Sequence, residues 1–326
     1  MLPRNAPVVG VPPSRVLIKW SRTSPAADVR GEGVRLNCCS FLLNLDGQMI
    51  TPGEISPGGC LLTRIPRQSN LTSKDCALVC ARNGGLLKIV IISDIHGNLA
   101  ALNALPEHDF DELWCLGDLV DYGPNPHEVI EWVRQQARVV VRGNHDHAAG
   151  FSVDPQCSAP FKKLAEDTLR FTQSVCTQDD FGYLRSLPVR QELTVTSVRF
   201  YLVHAIPSDP LFGYCPEESD RWTQEVAGIS ADVLIVGHTH TPFMRREGST
   251  TICNPGSLGQ PKTGRPKACY AIWQDGKISL KEFEYPVAKT IRGIRSMPIP
   301  PDEQDALIGL LETGSLPTPR SVKSTG

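Results

Sequence analysis

The sequence predicts an α/β domain built on a mixed β-sheet, and three features of the chain predict it. From Lys88 onward, short apolar runs alternate with helical stretches, which is the pattern of parallel strands joined by crossover helices. Later in the chain the predicted strands follow one another too closely for helical crossovers, so part of the sheet is expected to be antiparallel. Segments rich in Asp, His and Gly come directly after several apolar runs, where α/β sheets bind ligands.

The first elements form a βαβαβ series, which favours a largely parallel sheet. Residues 88–93 are a predicted buried strand, followed by a short helix at 99–105 and a second strand at 112–116. A helix at 126–137 begins with proline, a residue suited to the first helical turn. A third strand at 138–142 closes the series.

The remaining elements alternate less regularly. We predict helices at 159–174, 179–186 and 219–227, strands at 192–195, 198–204, 233–237, 251–254, 268–273 and 278–283, and two final helices at 287–295 and 302–312.

Residues 1–86 differ from the rest in composition. They contain eight prolines and show no sustained helical or strand periodicity, which predicts a disordered or weakly structured extension. A mis-called start site is an alternative interpretation, because the recognisable domain opens near Leu87. A basic targeting peptide is another, although no amphipathic helix is visible. The domain itself is expected at 87–314, followed by a polar tail at 315–326.

Charge and composition exclude several classes of protein. The chain of 326 residues has a formal net charge of −2. Residues 1–86 hold ten Lys/Arg and five Asp/Glu, so 23 of the 33 basic and 30 of the 35 acidic residues lie in the rest. This acidic body argues against broad nucleic-acid binding. No run of eighteen apolar residues predicts a membrane span, and eleven cysteines without zinc-type spacing favour reduced thiols in a cytoplasmic protein.

Five polar segments are expected to carry the chemistry. They are Asp94-Ile95-His96-Gly97-Asn98, Gly117-Asp118-Leu119-Val120-Asp121, Gly143-Asn144-His145-Asp146, Val203-His204-Ala205 and Gly237-His238-Thr239-His240. Each follows a predicted strand.

Two of these segments carry ligand-type residues two positions apart. In an extended chain, Asp94 with His96, and His238 with His240, would each point to one place. Divalent metals of intermediate softness accept imidazole and carboxylate ligands together, and no thiolate joins the set. Any one segment alone could be a helix cap, a turn or a core histidine. The five together favour a metal site.

In this order and spacing, the five segments resemble the calcineurin-like metallophosphoesterase superfamily, over about residues 88–312. Further stretches at 122–126, 254–257, 259–261 and 311–314 resemble its compact bacterial and archaeal branch of predicted phosphodiesterases and diadenosine-tetraphosphatase-like proteins. The resemblance implies a four-layer αββα sandwich, with two mixed β-sheets between outer helices.

The resemblance also implies a role for each site residue. One divalent metal would be held by Asp94, His96 and His240, a second by Asn144, His204 and His238, and Asp118 would bridge them. His145 would lie beside the scissile phosphate, and Asp121 would orient its imidazole. The resemblance favours Mn²⁺, and Fe, Zn²⁺ and Ni²⁺ are compatible with the same ligands.

This assignment agrees with the chemistry of the residues. Two cations about 3.5–4 Å apart can activate water and clamp a phosphate. His145 could then protonate the leaving oxygen, and a carboxylate partner would favour its charged form. We therefore expect a metal-dependent phosphoric ester hydrolase acting on a small phosphodiester or nucleotide. A metal-binding scaffold and a diadenosine-polyphosphate pyrophosphohydrolase are the alternatives.

Other side chains are weaker candidates for the site. Lys262 and Arg265 share a loop that could contact phosphate, and Asn254 is expected to support a turn near the metals. Phe212 and Tyr214 could stack on a base, although aromatic packing is the commoner role. His147 is interpreted as a surface or supporting residue.

Tyr122 is the one departure that bears on the substrate. It stands where Ser/Thr protein phosphatases of this superfamily carry a phosphate-gripping arginine. This weakens a protein-phosphatase interpretation.

Overall fold

The computed structural model describes residues 87–315 and, separately, two short strands, β1 (Leu42–Leu43) and β2 (Met49–Ile50), which pair antiparallel. The predictions for residues 1–86 and for the tail at 315–326 therefore fall almost entirely outside the described residues. No helix in the described part of the chain is both long and apolar enough to cross a membrane.

The first large sheet has five strands and mixed directions. Its strands are β3 (Lys88–Ile92), β4 (Glu112–Cys115), β5 (Val139–Val140), β11 (Ala268–Gln274) and β12 (Lys277–Phe283). The spatial order is β12-β11-β3-β4-β5. Strands β3, β4 and β5 are parallel, as the βαβαβ series predicted, whereas β11 runs antiparallel to both β3 and β12.

The second large sheet is also five-stranded and mixed. It contains β6 (Arg190–Val195), β7 (Val198–Val203), β8 (Val233–Ile235), β9 (Phe243–Glu247) and β10 (Thr250–Asn254), in the order β6-β7-β8-β10-β9. The three central strands are parallel, and both edge strands are antiparallel to their neighbours. The antiparallel β6–β7 edge uses the tight connection that the close spacing of its two predicted strands indicated.

The two sheets pack against each other through one face of each strand. Ile89 and Ile91 of β3 face this shared core, and Val90 and Ile92 face outward toward helices, as the two-residue period of a strand requires. In the shared core, the Phe200 ring lies edge-on to Trp114 and Trp273, at centroid distances of 5.0 and 5.5 Å. Burial of each such side chain stabilises the fold by about 1.5–3 kcal/mol.

Helices cover both outer faces of this pair of sheets. They are α1 (Leu99–Asn103), α2 (Pro126–Gln136), α3 (Asn144–Phe151), α4 (Ala159–Val175), α5 (Gln178–Ser186), α6 (Trp222–Ala227), α7 (Val287–Arg295) and α8 (Pro301–Thr313). Residues of α1, α2, α3 and α5 share a core with the first sheet, and buried Trp222 of α6 packs on the second. The expected four-layer αββα sandwich is confirmed.

Within residues 87–315, two elements were not predicted. Helix α3 has almost no apolar stripe, because its buried polar residues serve the site rather than a hydrophobic core. Strand β9, with the sequence Phe-Met-Arg-Arg-Glu, lies at a sheet edge and buries only Phe243 fully. Such a strand lacks the apolar alternation that sequence periodicity detects.

The parallel strands of both sheets end close to one another. Asp94, Asp118 and Asn144 follow β3, β4 and β5, while His204 and His238 follow β7 and β8. The sandwich therefore gathers the candidate ligands at the carboxyl ends of its parallel strands.

Candidate metal centre

The structure brings the seven predicted ligands together in two groups. Asp94, His96, Asp118 and His240 form one group, and Asp118, His204 and His238 form the other, with the ligand atoms of each group within 4.8 Å of one another. Asn144 joins the second group, because its Oδ1 lies 3.2 Å from Nε2 of His204. Asp118 is shared by both groups, which is the position required of a bridging carboxylate.

The backbone reaches this arrangement through left-handed residues rather than extended ones. Asp94, His96 and Asp118 have φ angles of 52°, 48° and 55°, and His238 and His240 have 66° and 61°. The extended-chain argument for pairs two residues apart was therefore wrong in its geometry. Asp94 and His96 do share a group, but the left-handed turns send His238 and His240 to different groups.

Each of these left-handed residues is strained by about 1–3 kcal/mol. Backbone hydrogen bonds hold them: Asp94 N–H donates to the Gly117 carbonyl at 3.0 Å, and His96 N–H donates to the Asp118 carbonyl at 2.9 Å. Gly143 must lack a side chain, since a Cβ there would lie 2.0 Å from Oδ1 of Asp118. Strain concentrated at convergent polar residues is typical of a functional site.

Backbone carbonyls fix three of the imidazoles. Nδ1 of His96, His204 and His240 lies 3.0, 2.7 and 2.7 Å from the carbonyl oxygens of Val120, Leu116 and Gln260, respectively. A carbonyl oxygen only accepts, so each Nδ1 carries the hydrogen. In the neutral ring, Nε2 then presents its lone pair to the cluster, which is how metal-binding histidines are oriented.

Two contacts show that the centre suits a cation. Nε2 of His96 and Nε2 of His240 lie 3.2 Å apart, so two lone pairs face each other. Oδ1 of Asp94 is buried without a hydrogen-bond partner among the described residues and lies 3.3 Å from Nε2 of His240. An unpaired buried carboxylate oxygen is costly. A divalent cation among these atoms would satisfy all three.

The protonation of the cluster also favours metal binding. Burial lowers the pKa of His96 and of His238 to about 3 and that of His240 well below its usual value, so these rings are neutral near pH 7. Burial also opposes a charge on His204. However, the charge of Asp118, 3.2 Å away, outweighs burial and raises the pKa of His204 to about 9. A metal at this position would therefore displace a proton.

Asp146 holds two ligand segments in register, a role that the sequence did not indicate. Its Oδ2 accepts hydrogen bonds from the N–H groups of Asp118 at 2.8 Å and Gly143 at 3.0 Å, and its Oδ1 accepts one from Leu119 at 2.8 Å. The bond from Gly143 makes Asp146 the third residue of a helix cap at the start of α3. The sequence did contain a signal for this helix cap, namely an acidic residue three positions after Gly143.

His145 lies at the edge of this centre and is paired with Asp121. Its Nδ1 is 2.7 Å from Oδ2 of Asp121, and Oδ1 of Asp121 accepts a hydrogen bond from the Thr172 hydroxyl at 2.7 Å. Nε2 of His145 is 3.5 Å from Sγ of Cys157, which also lies 3.5 Å from the Tyr122 hydroxyl. The sequence predicted the His145–Asp121 pair but missed Thr172 and Cys157, which come from the distant α4 region.

Two cations of the loop after β10, Lys262 and Arg265, differ in their surroundings. The half-buried Lys262 places its ammonium 4.5 Å from the Phe161 ring centroid. Exposed Arg265 instead forms an ion pair with Glu282 at 2.9 Å. Asn254 supports a turn as expected, because its Nδ2 donates to the Gly237 carbonyl at 2.7 Å.

Aromatic side chains lie beside the second ligand group. The Tyr214 ring, 64% exposed, has its centroid 6.2 Å from that of His238. Phe212 lies 6.2 Å from His147, which also packs on Phe151. The distances are consistent with ordinary aromatic packing at the edge of the site.

Comparison with known proteins agrees with this geometry. The family model for the calcineurin-like phosphoesterase superfamily domain matches residues 87–275. An uncharacterized protein of Methanocaldococcus jannaschii is 31% identical over 228 residues, which cover 63% of this chain and 91% of the relative. Phosphodiesterase YfcE of Escherichia coli is 26% identical over 212 residues, covering 60% and 91%.

A solved structure shares both sequence and fold. The crystal structure of a metallophosphoesterase from Sphaerobacter thermophilus is 30% identical, with a TM-score of 0.61, and the match covers 71% of this chain and all of that one. The expected family is thereby confirmed, as is the prediction of a metal-dependent phosphoric ester hydrolase. The chain belongs to the calcineurin-like phosphoesterase superfamily.

Proposed function

We propose that the protein is a dinuclear-metal phosphoesterase that hydrolyses a small phosphodiester or a nucleotide. The observation that carries the proposal is the shared position of Asp118, which belongs to both groups of ligand atoms. Asp94, His96 and His240 would complete the ligands of one metal ion. Asn144, His204 and His238 would complete those of the other.

The donor set supports divalent metals of intermediate softness. It consists of imidazole nitrogens, carboxylate oxygens and one amide oxygen, and neither group of ligand atoms includes a cysteine. We propose Mn²⁺ as the resident metal, with Fe, Zn²⁺ and Ni²⁺ chemically compatible. Because Asn144 is neutral, the two carboxylates, Asp94 and Asp118, would offset only half of the charge of two divalent ions. The remaining positive charge favours an anionic substrate.

Metal ions held there would lower the pKa of a water molecule and offset the charge of the phosphate. The chain supplies the proton for the leaving oxygen. Nδ1 of His145 is engaged by Asp121, so Nε2, which has only a long contact of 3.5 Å with the Cys157 thiol, is the atom placed to donate that proton. Burial opposes a charge on His145, but the charge of Asp118 and the hydrogen bond to Asp121 together hold its pKa well above its usual value. His145 is thus suited to act as a general acid.

The substrate class follows from what surrounds the centre. Tyr122, rather than an arginine, packs on the rings of His96 and His145 at 4.8 Å each, so the protein-phosphatase interpretation stays disfavoured. The similarity to a bacterial phosphodiesterase supports a diester substrate. A cytoplasmic location and the absence of broad nucleic-acid binding remain predictions.

Hydrolysis by the full chain tests this proposal. We would measure release of p-nitrophenol from bis-p-nitrophenyl phosphate and from p-nitrophenyl phosphate, with Mn²⁺ and after chelation. We expect metal-dependent release that is faster with the diester. Absence of turnover in a folded, metal-loaded protein would contradict the proposal and favour the scaffold. Turnover of a dinucleoside polyphosphate alone would indicate a pyrophosphohydrolase.

A further inference from the structure

The loop that follows β10 is fastened to the candidate metal ligands. The Gly259 N–H donates to the carbonyl oxygen of Asp94 at 3.1 Å, and Nδ1 of His240 donates to the carbonyl oxygen of Gln260 at 2.7 Å. A Cβ on Gly259 would lie 1.8 Å from the Ile95 carbonyl oxygen, so glycine permits this close approach. The backbone of Lys262, two residues beyond Gln260, therefore lies near the edge of the metal centre.

The Lys262 side chain is half-buried, and its ammonium packs on an aromatic ring. The ammonium lies 4.5 Å from the centroid of the Phe161 ring, and this cation–π contact holds the charge in place. Burial lowers the pKa of Lys262, and the nearby charges of Asp94 and Asp118 oppose that shift. Burial also lowers the pKa of His240, and the Lys262 ammonium is the next largest cause. The lysine thus acts electrostatically on both the carboxylates and the imidazoles.

Within the described residues, this lysine has no carboxylate partner and no hydrogen bond. Several other cations of the body are paired with carboxylates. Lys88 contacts Glu107, and Lys163 contacts Asp167 at 2.9 Å. Arg265, three residues further along the same loop, pairs with Glu282. Partly removing an ammonium from water without a counter-ion is unfavourable, so an anion from outside the chain would complete the site.

A second group marks where such an anion would sit. Cys157 and Phe161 pack against the same apolar cluster, which contains Tyr122, and Sγ of Cys157 is 3.5 Å from Nε2 of His145. Lys262 and the proton-donating nitrogen of His145 therefore border the same region over the ligands. A phosphate group there could be reached by both side chains. Because Tyr122 replaces the arginine that grips phosphate in the protein phosphatases, this region has no arginine from that position.

We propose that Lys262 binds a nonbridging oxygen of the substrate phosphate and is the phosphate-gripping cation of this protein. The inference rests on the proposed function, because it assumes a phosphoester at the metal centre. Lysine acts as a point charge with three donors, which suits a phosphate oxygen whose position shifts between ester and product.

The test compares Lys262→Gln with Arg265→Gln, which removes a charge from the same loop but not from the site. Binding of inorganic phosphate to the Mn²⁺-loaded full chain would be measured by calorimetry, beside KM for bis-p-nitrophenyl phosphate, bound metal and thermal midpoint. We expect Lys262→Gln to weaken phosphate binding and raise KM by roughly tenfold to a hundredfold, the value of one charge-assisted hydrogen bond. Bound metal should be unchanged, Lys262→Arg should restore most of the affinity, and Arg265→Gln should match the wild type.

The outcomes separate the two proposals. Equal phosphate affinity and equal KM in Lys262→Gln and Arg265→Gln, with an active wild type, would overturn the role of Lys262 and leave the phosphoesterase intact. Phosphate binding that depends on Lys262 in a wild type without hydrolysis would support the anion site and overturn the proposed function. A wild type that neither binds phosphate nor hydrolyses the diester would overturn both.

Discussion

Replacing His145 with Gln should slow hydrolysis without releasing metal. The imidazole lies outside both groups of ligand atoms and is held by Asp121, whose other oxygen is held by Thr172. Glutamine keeps a hydrogen-bond donor near Asp121 but cannot deliver a proton, because its amide does not ionise. The substitution therefore removes the proposed acid and leaves every proposed metal ligand in place.

The expected loss depends on the leaving group. A positioned general acid contributes about 10²–10⁴-fold, or roughly 3–5 kcal/mol of barrier. An alkoxide leaving group needs its proton, so a dialkyl or nucleoside diester should show the full loss in kcat. p-Nitrophenolate is stable without protonation, so the loss with bis-p-nitrophenyl phosphate should be much smaller.

The assay is kcat for both diesters, with bound metal measured by mass spectrometry on the same samples. Thr172→Val serves as a matched control. It removes one charge-assisted hydrogen bond to Asp121 and should lower kcat by less than His145→Gln does, because the imidazole that donates the proton remains. An equal loss with both leaving groups, or a loss of metal in His145→Gln, would refute the assigned role.

Three further predictions concern the support and access of the site. Asp146→Asn should lower the free energy of unfolding by about 2–4 kcal/mol, measured by chemical denaturation, because one buried carboxylate accepts three backbone N–H groups; an unchanged midpoint would contradict this. Alkylation of half-buried Cys157 should block His145 and abolish turnover. A Cys157→Ser variant should keep its activity after the same treatment. Equal inhibition of the wild type and the variant would refute the contact. Chelation should lower the thermal midpoint, since a ligand at a hundred times its Kd stabilises the folded state by about 2.7 kcal/mol, and a midpoint insensitive to Mn²⁺ would argue against a resident metal.

Much of the fold was predictable because its strands are buried and apolar. The Lys88–Ile92 strand is apolar after its first residue and is followed at once by ligand-type residues, so both the strand and its chemistry were visible. Strand β9 and helix α3 were not, because β9 buries one face weakly and α3 buries polar residues. In both, tertiary position rather than periodicity decides the structure.

The site was predictable in its residue types but not in its geometry. The sequence placed Asp94 and His96 near one metal. The left-handed turns that bring them together were not predictable, because neither position is a glycine. Contacts made across long sequence separations were also invisible. Thr172 reaches Asp121 over 51 residues, and Phe161 meets Lys262 from another element.

The shared carboxylate of Asp118 is the centre of the account, and counting metal ions tests it most directly. Mn²⁺ would be titrated into metal-free full-length protein and into its Asp118→Asn variant, followed by paramagnetic resonance and elemental analysis. We predict two ions per wild-type chain with the spectrum of a magnetically coupled pair, and loss of that coupled spectrum in the variant. One ion per wild-type chain, or a coupled pair that survives Asp118→Asn, would contradict the account.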